Sequence, residues 1–389
     1  MTSNLIVEVH EGAGAFETLR ADWQTLQRAA AAPPFLTWEW LSVWQRRLNR
    51  KLTPYVLCAR ADERLVGLLA LGVEMLPLGG RRFSLLGTGF GGADYLDVLA
   101  LPETAEAVRQ VFFEHLTQAA ACDLIELDGL AAGSPTVAWL AAQPGATFRQ
   151  RAEERFVCPQ IELNRPWPEL LKQSKRGDNF KRRLKQARQR DGFAFRVVTA
   201  PEEAQAALQR FLTLHEARWE AHGGSDFSGH TELRRFHQDL VETLAQAGLL
   251  RFEELWLEGA CVASIYGLDD GQRFCLYNTG YAQEWKHASP GLVLLGLSIE
   301  AACARGLACY DFLRGDEGYK FDWATTTTTT VAVTLARRNA AAHLFLAKTQ
   351  LWRGIRTVAK TALPSTLTAT LQNWARLTRR QQSLAVSNS

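Results

Sequence analysis

The 389-residue sequence predicts an α+β protein of two tandem units followed by a basic helical tail. Three observations predict it. Strand-like and helix-like hydrophobic patterns alternate through the first 335 residues. The segment CARADERLVGLLA at 58–70 aligns with LWLEGACVASIYG at 255–267. Each reads as strand, tight turn, strand, and each is followed by another strand and later by a helix and strand, as an internal duplication would leave them. From 336 to 389 the chain holds nine Lys/Arg and no acid. The expected divisions are 1–160, 161–335 and 336–389.

In the first unit LIVEVH at 5–10 reads as a strand, and 37–49 as a helix with Thr37 as N-cap. PYVLCAR and LVGLLALGV form a hairpin across ADER, followed by strands at RRFSLLG and YLDVLAL, a helix over 103–121 and the strand CDLIELDG. The second unit repeats the theme. FAFRVV is a strand, and 201–221 and 230–247 are helices. LLRFEELWLEG, ACVASIYGLDDG and QRFCLYNTGYA make an antiparallel meander. SPGLVLLGLSIEAACARG is a helix, and LACYDFL is the strand after it. The six threonines at 325–330 run into VAVTLA as one β-branched strand. In the tail, Leu344, Ala347, Leu351, Ile355 and Val358 recur at helical spacing with Lys348, Arg353, Arg356 and Lys360 largely elsewhere, and a second helix starts at Pro364.

Apolar residues make up 47% of the chain and charged residues 22%, enough for a large core without a metal or disulfide staple. The seven cysteines form no C-x-x-C pair and sit mostly in apolar runs, which reads as reduced thiols in a cytoplasmic protein. MTSNLIVEVHEGAG has neither the basic nor the apolar region of a signal peptide, and GLVLLGLSI is too short to span a bilayer. The net charge of +3 hides an asymmetry. Residues 172–190 carry +8 and the tail +9, which leaves −14 for the rest. The run 172–190 reads either as a solvated helix or as a contact for a phosphorylated acceptor, a lipid headgroup or RNA. The tail suits an anionic membrane surface or the acidic body itself. No stacking-aromatic repeat or RNA-module signature points to sequence-specific nucleic-acid binding.

A β-meander, an SPG turn opening a helix, and a DFLRG strand follow one another between 250 and 315. Tyr277–Tyr281 (YNTGY), Ser289-Pro290-Gly291 and DFLRGDEGYKFDW, with HEARW at 215–219, KRRLKQ and ADYLDVL at 93–99, resemble the GNAT acyltransferase superfamily. More narrowly they resemble the cellulose-biosynthesis-type (CelD/BcsL-like) acetyltransferases. The likeness covers roughly residues 10–335. Fem-type aminoacyl transferases have a similar two-unit layout and a comparable late aromatic-Lys element. The resemblance implies two GNAT-like units, the first degenerate and on the acceptor side, the second catalytic. It implies an acetyl-CoA or other acyl-CoA donor, no metal, and a saccharide or polysaccharide-related cell-envelope acceptor at the inner face of the membrane. Direct transfer makes a nucleophilic cysteine unnecessary, so Cys275 and Cys309 read as core residues.

On this reading CoA lies in a splay between the YNTGY and DFL strands, touching Thr279, with its pyrophosphate on Ser289, Pro290, Gly291, Leu292 and Leu294. Helix N-termini suit anions because their first amides lack partners. The superfamily's usual loop, Gln/Arg-x-x-Gly-x-Gly/Ala, keeps only Gly291 in the stretch Ala288–Val293. Asp311, Lys320, Tyr281 and His215 are the candidate acid–base groups, and Asp94, Tyr95, Trp219 and Arg314 the candidate acceptor contacts. Alternatives stand beside each. Asp311 pairs with Arg314 or caps the next turn, and Lys320 bridges Asp316 or Glu317. Arg314 pairing with Asp316 or Glu317 holds Lys320, and Asp94 forms a turn. His215 and His222 are seven apart, as are His230 and His237, but no third metal ligand follows at a typical spacing. The alternatives for the whole chain are a Fem-like transferase using charged tRNA and a silent scaffold of exopolysaccharide assembly.

Overall fold

The computed structural model describes residues 5–49, 51–76, 80–119, 122–143, 148–220, 230–340, 342 and 344–346, without the side chains of 119 and 217–220. The Trp219 side chain, His222 and the tail from 347 onward therefore lie outside the described residues. The first half runs β1 (Leu5–Glu11), α1 (Ala15–Ala29), α2 (Trp38–Arg47), β2 (Thr53–Ala61), β3 (Arg64–Met75), β4 (Arg81–Leu85), β5 (Leu99–Ala100), α3 (Ala105–Glu114), β6 (Cys122–Ala131), α4 (Pro135–Ala141) and β7 (Phe148–Glu162). The second runs α5 (Trp167–Gln173), α6 (Gly177–Arg188), β8 (Ala194–Val198), α7 (Pro201–Glu220), α8 (Thr231–Gln246), β9 (Leu250–Leu257), β10 (Ala260–Asp269), β11 (Arg273–Tyr281), α9 (Pro290–Ala304), β12 (Cys309–Asp311), α10 (Gly318–Phe321) and β13 (Thr326–Arg337).

The expected mixed α/β architecture is present as one large, mostly antiparallel sheet flanked by helices, in the order β1-β2-β3-β4-β6-β13-β7-β12-β11-β10-β9-β8. The duplication is visible in this order. In each half an edge strand, two helices and an antiparallel meander lead through a further helix to a parallel strand: β6 beside β4 in the first, β12 beside β11 in the second. The last strands are exchanged. β7 of the first half pairs with β12, and β13 of the second half pairs with β6. β7 and β13 also pair with each other, so a single sheet runs through the chain.

Local chemistry explains most boundaries. Thr37 caps α2 as its sequence position predicts, its hydroxyl accepting the Trp40 N–H at 3.3 Å. α9 is apolar all round because it is buried between β9–β11 and α6. Gly296 permits the α6 contact: a Cβ there would lie 2.2 Å from the Phe180 ring. YLDVLAL departs from the strand expected of it. Only Leu99 and Ala100 pair with β3, because Tyr95 takes φ 58° and the Leu96 N–H turns to the Gly129 carbonyl. The helix expected over 103–121 stops at Glu114 and passes into a π-turn at His115–Ala119.

Candidate active site

β11 and β12 pair in parallel over three positions, Arg273 with Cys309, Phe274 with Tyr310 and Cys275 with Asp311, and then separate. The chain after Asp311 turns to β7, where the Phe312 N–H bonds the Pro159 carbonyl, while β11 continues to Tyr281. A fork opens with Asp311 at its base. Asp311 is fully buried and accepts hydrogen bonds from the Leu313 amide (2.8 Å), the Gln160 amide (2.6 Å) and the Tyr95 hydroxyl (3.2 Å). The Arg273 guanidinium stands 4.0 Å away. Burial outweighs these donors and pushes the Asp311 carboxyl up from 3.8 to about 6. Tyr95 and Leu313, on either side of this carboxyl, both hold positive φ (58° and 55°), a conformation costly for residues with a Cβ and concentrated at functional sites.

The first half reaches into this fork through residues 87–97. Gly91 accepts the Tyr277 hydroxyl of β11 at 2.8 Å, and Tyr95 reaches Asp311. Asp94, 1% exposed, binds the Arg314 side chain at 2.6 Å, and Arg314 also donates to the Ala93 carbonyl. One loop thus touches both prongs and closes one face of the fork. The same loop fills the equivalent fork of the first half. There β4 and β6 part after Ser84 and Glu126, and Leu96 lies between Gly87 and Gly129.

The arrangement reassigns two expected pairings. Arg314 pairs with Asp94 rather than with Asp316 or Glu317, because the turn at Leu313 carries its side chain toward the first half. Asp311 caps the turn by accepting the Leu313 N–H and does not bind Arg314. Lys320 is 4% exposed and bonds Glu317 (2.9 Å) and the Arg314 carbonyl (2.7 Å), so it fastens the loop that carries Arg314. His215 is buried on α7 behind β11, where Gly280 lies so close that a Cβ would be 2.7 Å from the His215 backbone nitrogen. Thr279 and Tyr281 lie half-buried on β11 beyond the fork, and Tyr281 stands beside Gly291.

Gln160, Arg273 and Tyr277 are members of the site that single-residue reading overlooks. Tyr277 belongs to the quoted YNTGY signal. Gln160 comes from β7, a strand whose six charged residues hide its pattern. His237 of α8 is buried against Tyr266 and Tyr277, with ring centroids 5.7 and 5.5 Å away, and desolvation lowers its pKa to about 3, keeping it neutral.

The turn before α9 tests the fit of a nucleotide donor. Ser289 is left-handed (φ 54°) and Pro290 has no N–H. The Ser289 N–H bonds Lys286, and the Leu292 and Val293 N–H groups both bond the Ser289 carbonyl. Among Ser289–Val293 this leaves the Gly291 amide as the one without an acceptor among the described residues. A helix start normally offers several amides to an anion. This one can hold a single phosphate oxygen and does not form a diphosphate cradle.

Residues 174–321 match the family described as acetyltransferase (GNAT) domain. That stretch contains β11, α9, β12 and α10. Among solved structures the fold is similar to that of FemX (TM-score 0.57, 10% identity, covering 82% of this chain and 95% of that one). It is also similar to the C-terminal domain (DUF2156) of a putative lysylphosphatidylglycerol synthetase from Agrobacterium fabrum (0.53, 11%, 89% and 97%). A conserved protein of unknown function from Bacteroides thetaiotaomicron VPI-5482 is a third (0.53, 12%, 85% and 100%). At these identities the likeness is one of fold. No curated protein matches the sequence.

Proposed function

We propose that this protein is an acyltransferase that moves an acyl group from a pantetheine thioester, as in acetyl-CoA or another acyl-CoA, directly to an amine or hydroxyl of a saccharide-related acceptor of the cell envelope. The observation that carries the reading is the fork at Cys275/Asp311 within the stretch that matches an acetyltransferase domain. A narrow opening between parallel strands suits an extended thioester arm. Beyond Cys275, where the pairing of β11 with β12 ends, the arm would run alongside the β11 backbone.

The acceptor heteroatom attacks the thioester carbonyl, the new C–N or C–O bond forms, the C–S bond breaks, and the pantetheine thiolate leaves. Two protons must be managed. A carboxyl with a pKa of about 6 takes up a proton readily near neutrality, and Asp311 acts through the Tyr95 hydroxyl bonded to it. The departing thiolate takes up the proton that leaves the acceptor heteroatom. Asp94, Arg314 and Lys320 position the loop that faces the acceptor. Phe90 and Phe156, which are 44% and 45% exposed, lie on that side, Phe156 beneath Arg314, and aromatic faces suit the apolar face of a sugar ring.

The test is a crystal soaked with acetyl-pantetheine and with acetyl-CoA, together with thiol release measured over a panel of amino sugars and reducing-end saccharides. Arm density between β11 and Phe312, with acceptor-dependent thiol release, is expected. Saturating thioester that leaves the fork empty would overturn the reading.

A further inference from the structure

We infer that the acyl arm is presented to the fork by an acidic carrier protein, which docks on the basic face of α6. This rests on the acyltransferase reading and adds the form in which the donor arrives. Two independent observations meet here. The first is the turn before α9, which can hold one phosphate oxygen through the Gly291 amide. The phosphopantetheine arm of a carrier protein has a single phosphodiester, whereas a CoA donor brings a diphosphate and a further phosphate. The single amide matches the former.

The second is the surface beside that turn. α6 packs on α9 through Phe180 against Gly296, and its middle reaches the 283–288 turn, where Arg183 donates to the His287 carbonyl at 3.0 Å. Arg190 continues this edge, 3.3 Å from the His287 ring and over Trp285. Outward, α6 exposes Lys181, Arg182, Lys185 and Arg188. Its single acid, Asp178, lies 3.4 Å from Lys181, and Arg182, Lys185 and Arg188 have no carboxylate partner among the described residues. A row of unneutralised cations along a helix, next to the mouth of a thioester channel, is complementary to an acidic helix that carries its prosthetic arm at one end. The stacking ring an RNA would need on this face is engaged: Trp285 lies against His287 and under Arg190. In the transfer the carrier's thioester C–S bond breaks, the acceptor gains the acyl group, and the carrier leaves with a free thiol that has taken up the acceptor's proton.

The experiment titrates the full chain with a bacterial acyl carrier protein in apo, holo and hexanoyl forms, with hexanoyl-CoA, and with deacylated tRNA, at low and high salt. The hexanoyl carrier is expected to bind at least about tenfold more tightly than hexanoyl-CoA, and to weaken by about tenfold in the double variant Arg182→Glu/Lys185→Glu. The neutral pair Arg182→Gln/Lys185→Gln should fall between, with the thermal midpoint of both variants unchanged. Hexanoyl-CoA binding as tightly as the carrier, indifferent to charge reversal, overturns this inference and leaves the acyltransferase reading standing. Binding of tRNA that charge reversal abolishes, without carrier binding, makes the face an RNA surface and also overturns it. If no thioester binds in any form, both readings fail.

Discussion

Asp311→Asn separates the electrostatic cost of the fork from its chemistry. The side chain keeps its shape. Oδ1 still accepts the Leu313 amide and the Tyr95 hydroxyl, and the new Nδ2 replaces the oxygen that faced Gln160, whose own amide turns to offer its oxygen. The wild-type carboxyl is raised from 3.8 to about 6, so it binds its proton more tightly folded than unfolded. Its contribution to stability is therefore fully present below pH 3.8 and is lost as the pH rises through about 6. Two units correspond to about 3 kcal/mol. Asparagine does not ionise, so the variant escapes that loss. Between about pH 4 and pH 8 its stability relative to wild type should rise by about 3 kcal/mol, measured by urea unfolding of both proteins. Turnover at neutral pH should fall by about a hundredfold, the scale of a lost acid–base group. An unchanged stability gap across that pH range would refute the buried-charge account, and unchanged turnover would remove Asp311 from the proton path.

Tyr95→Phe removes both the relay hydroxyl and a donor that favours the ionised carboxylate, so turnover should fall by about a hundredfold and the acid limb of the residual pH–rate profile should move to higher pH; unchanged turnover with a limb that stays in place dissociates Tyr95 from Asp311. Lys320→Met leaves the Arg314 carbonyl without its cationic donor and should lower stability by about 2 kcal/mol in urea unfolding, with turnover falling further than stability. Equal losses in both would mean that the lysine only fastens the loop. Gly296→Ala places a methyl against the Phe180 ring, and overpacking there should cost about 1–3 kcal/mol by thermal unfolding, with a wild-type midpoint refuting the tight α6–α9 contact.

The second-half elements were the most legible part of the sequence. Alternation marks β9–β11, and Ser289-Pro290 marks the start of α9. β7 was illegible for a physical reason. Residues 149–157 are largely exposed, so the strand carries charges where a buried strand would carry Val or Ile. Its place in the sheet is set by its partners β12 and β13 rather than by its own periodicity. The Arg314–Asp94 pair was hidden for a related reason. Local spacing favours Asp316 and Glu317, and only the left-handed turn at Leu313 carries the guanidinium across 220 residues of sequence.

These two illegible features converge on Asp311. Gln160 reaches it from β7, and Tyr95 from the loop whose neighbour Leu96 fills the first half's own fork. The repeated topology supplies two forks. One is closed by a leucine, and the loop that closes it supplies a tyrosine and a carboxylate to the other. The exchanged strand supplies the amide. The proton affinity of Asp311 therefore depends on groups from both halves, and mutations of the first half at Tyr95 or Gln160 should register in the pH dependence of the second half's chemistry.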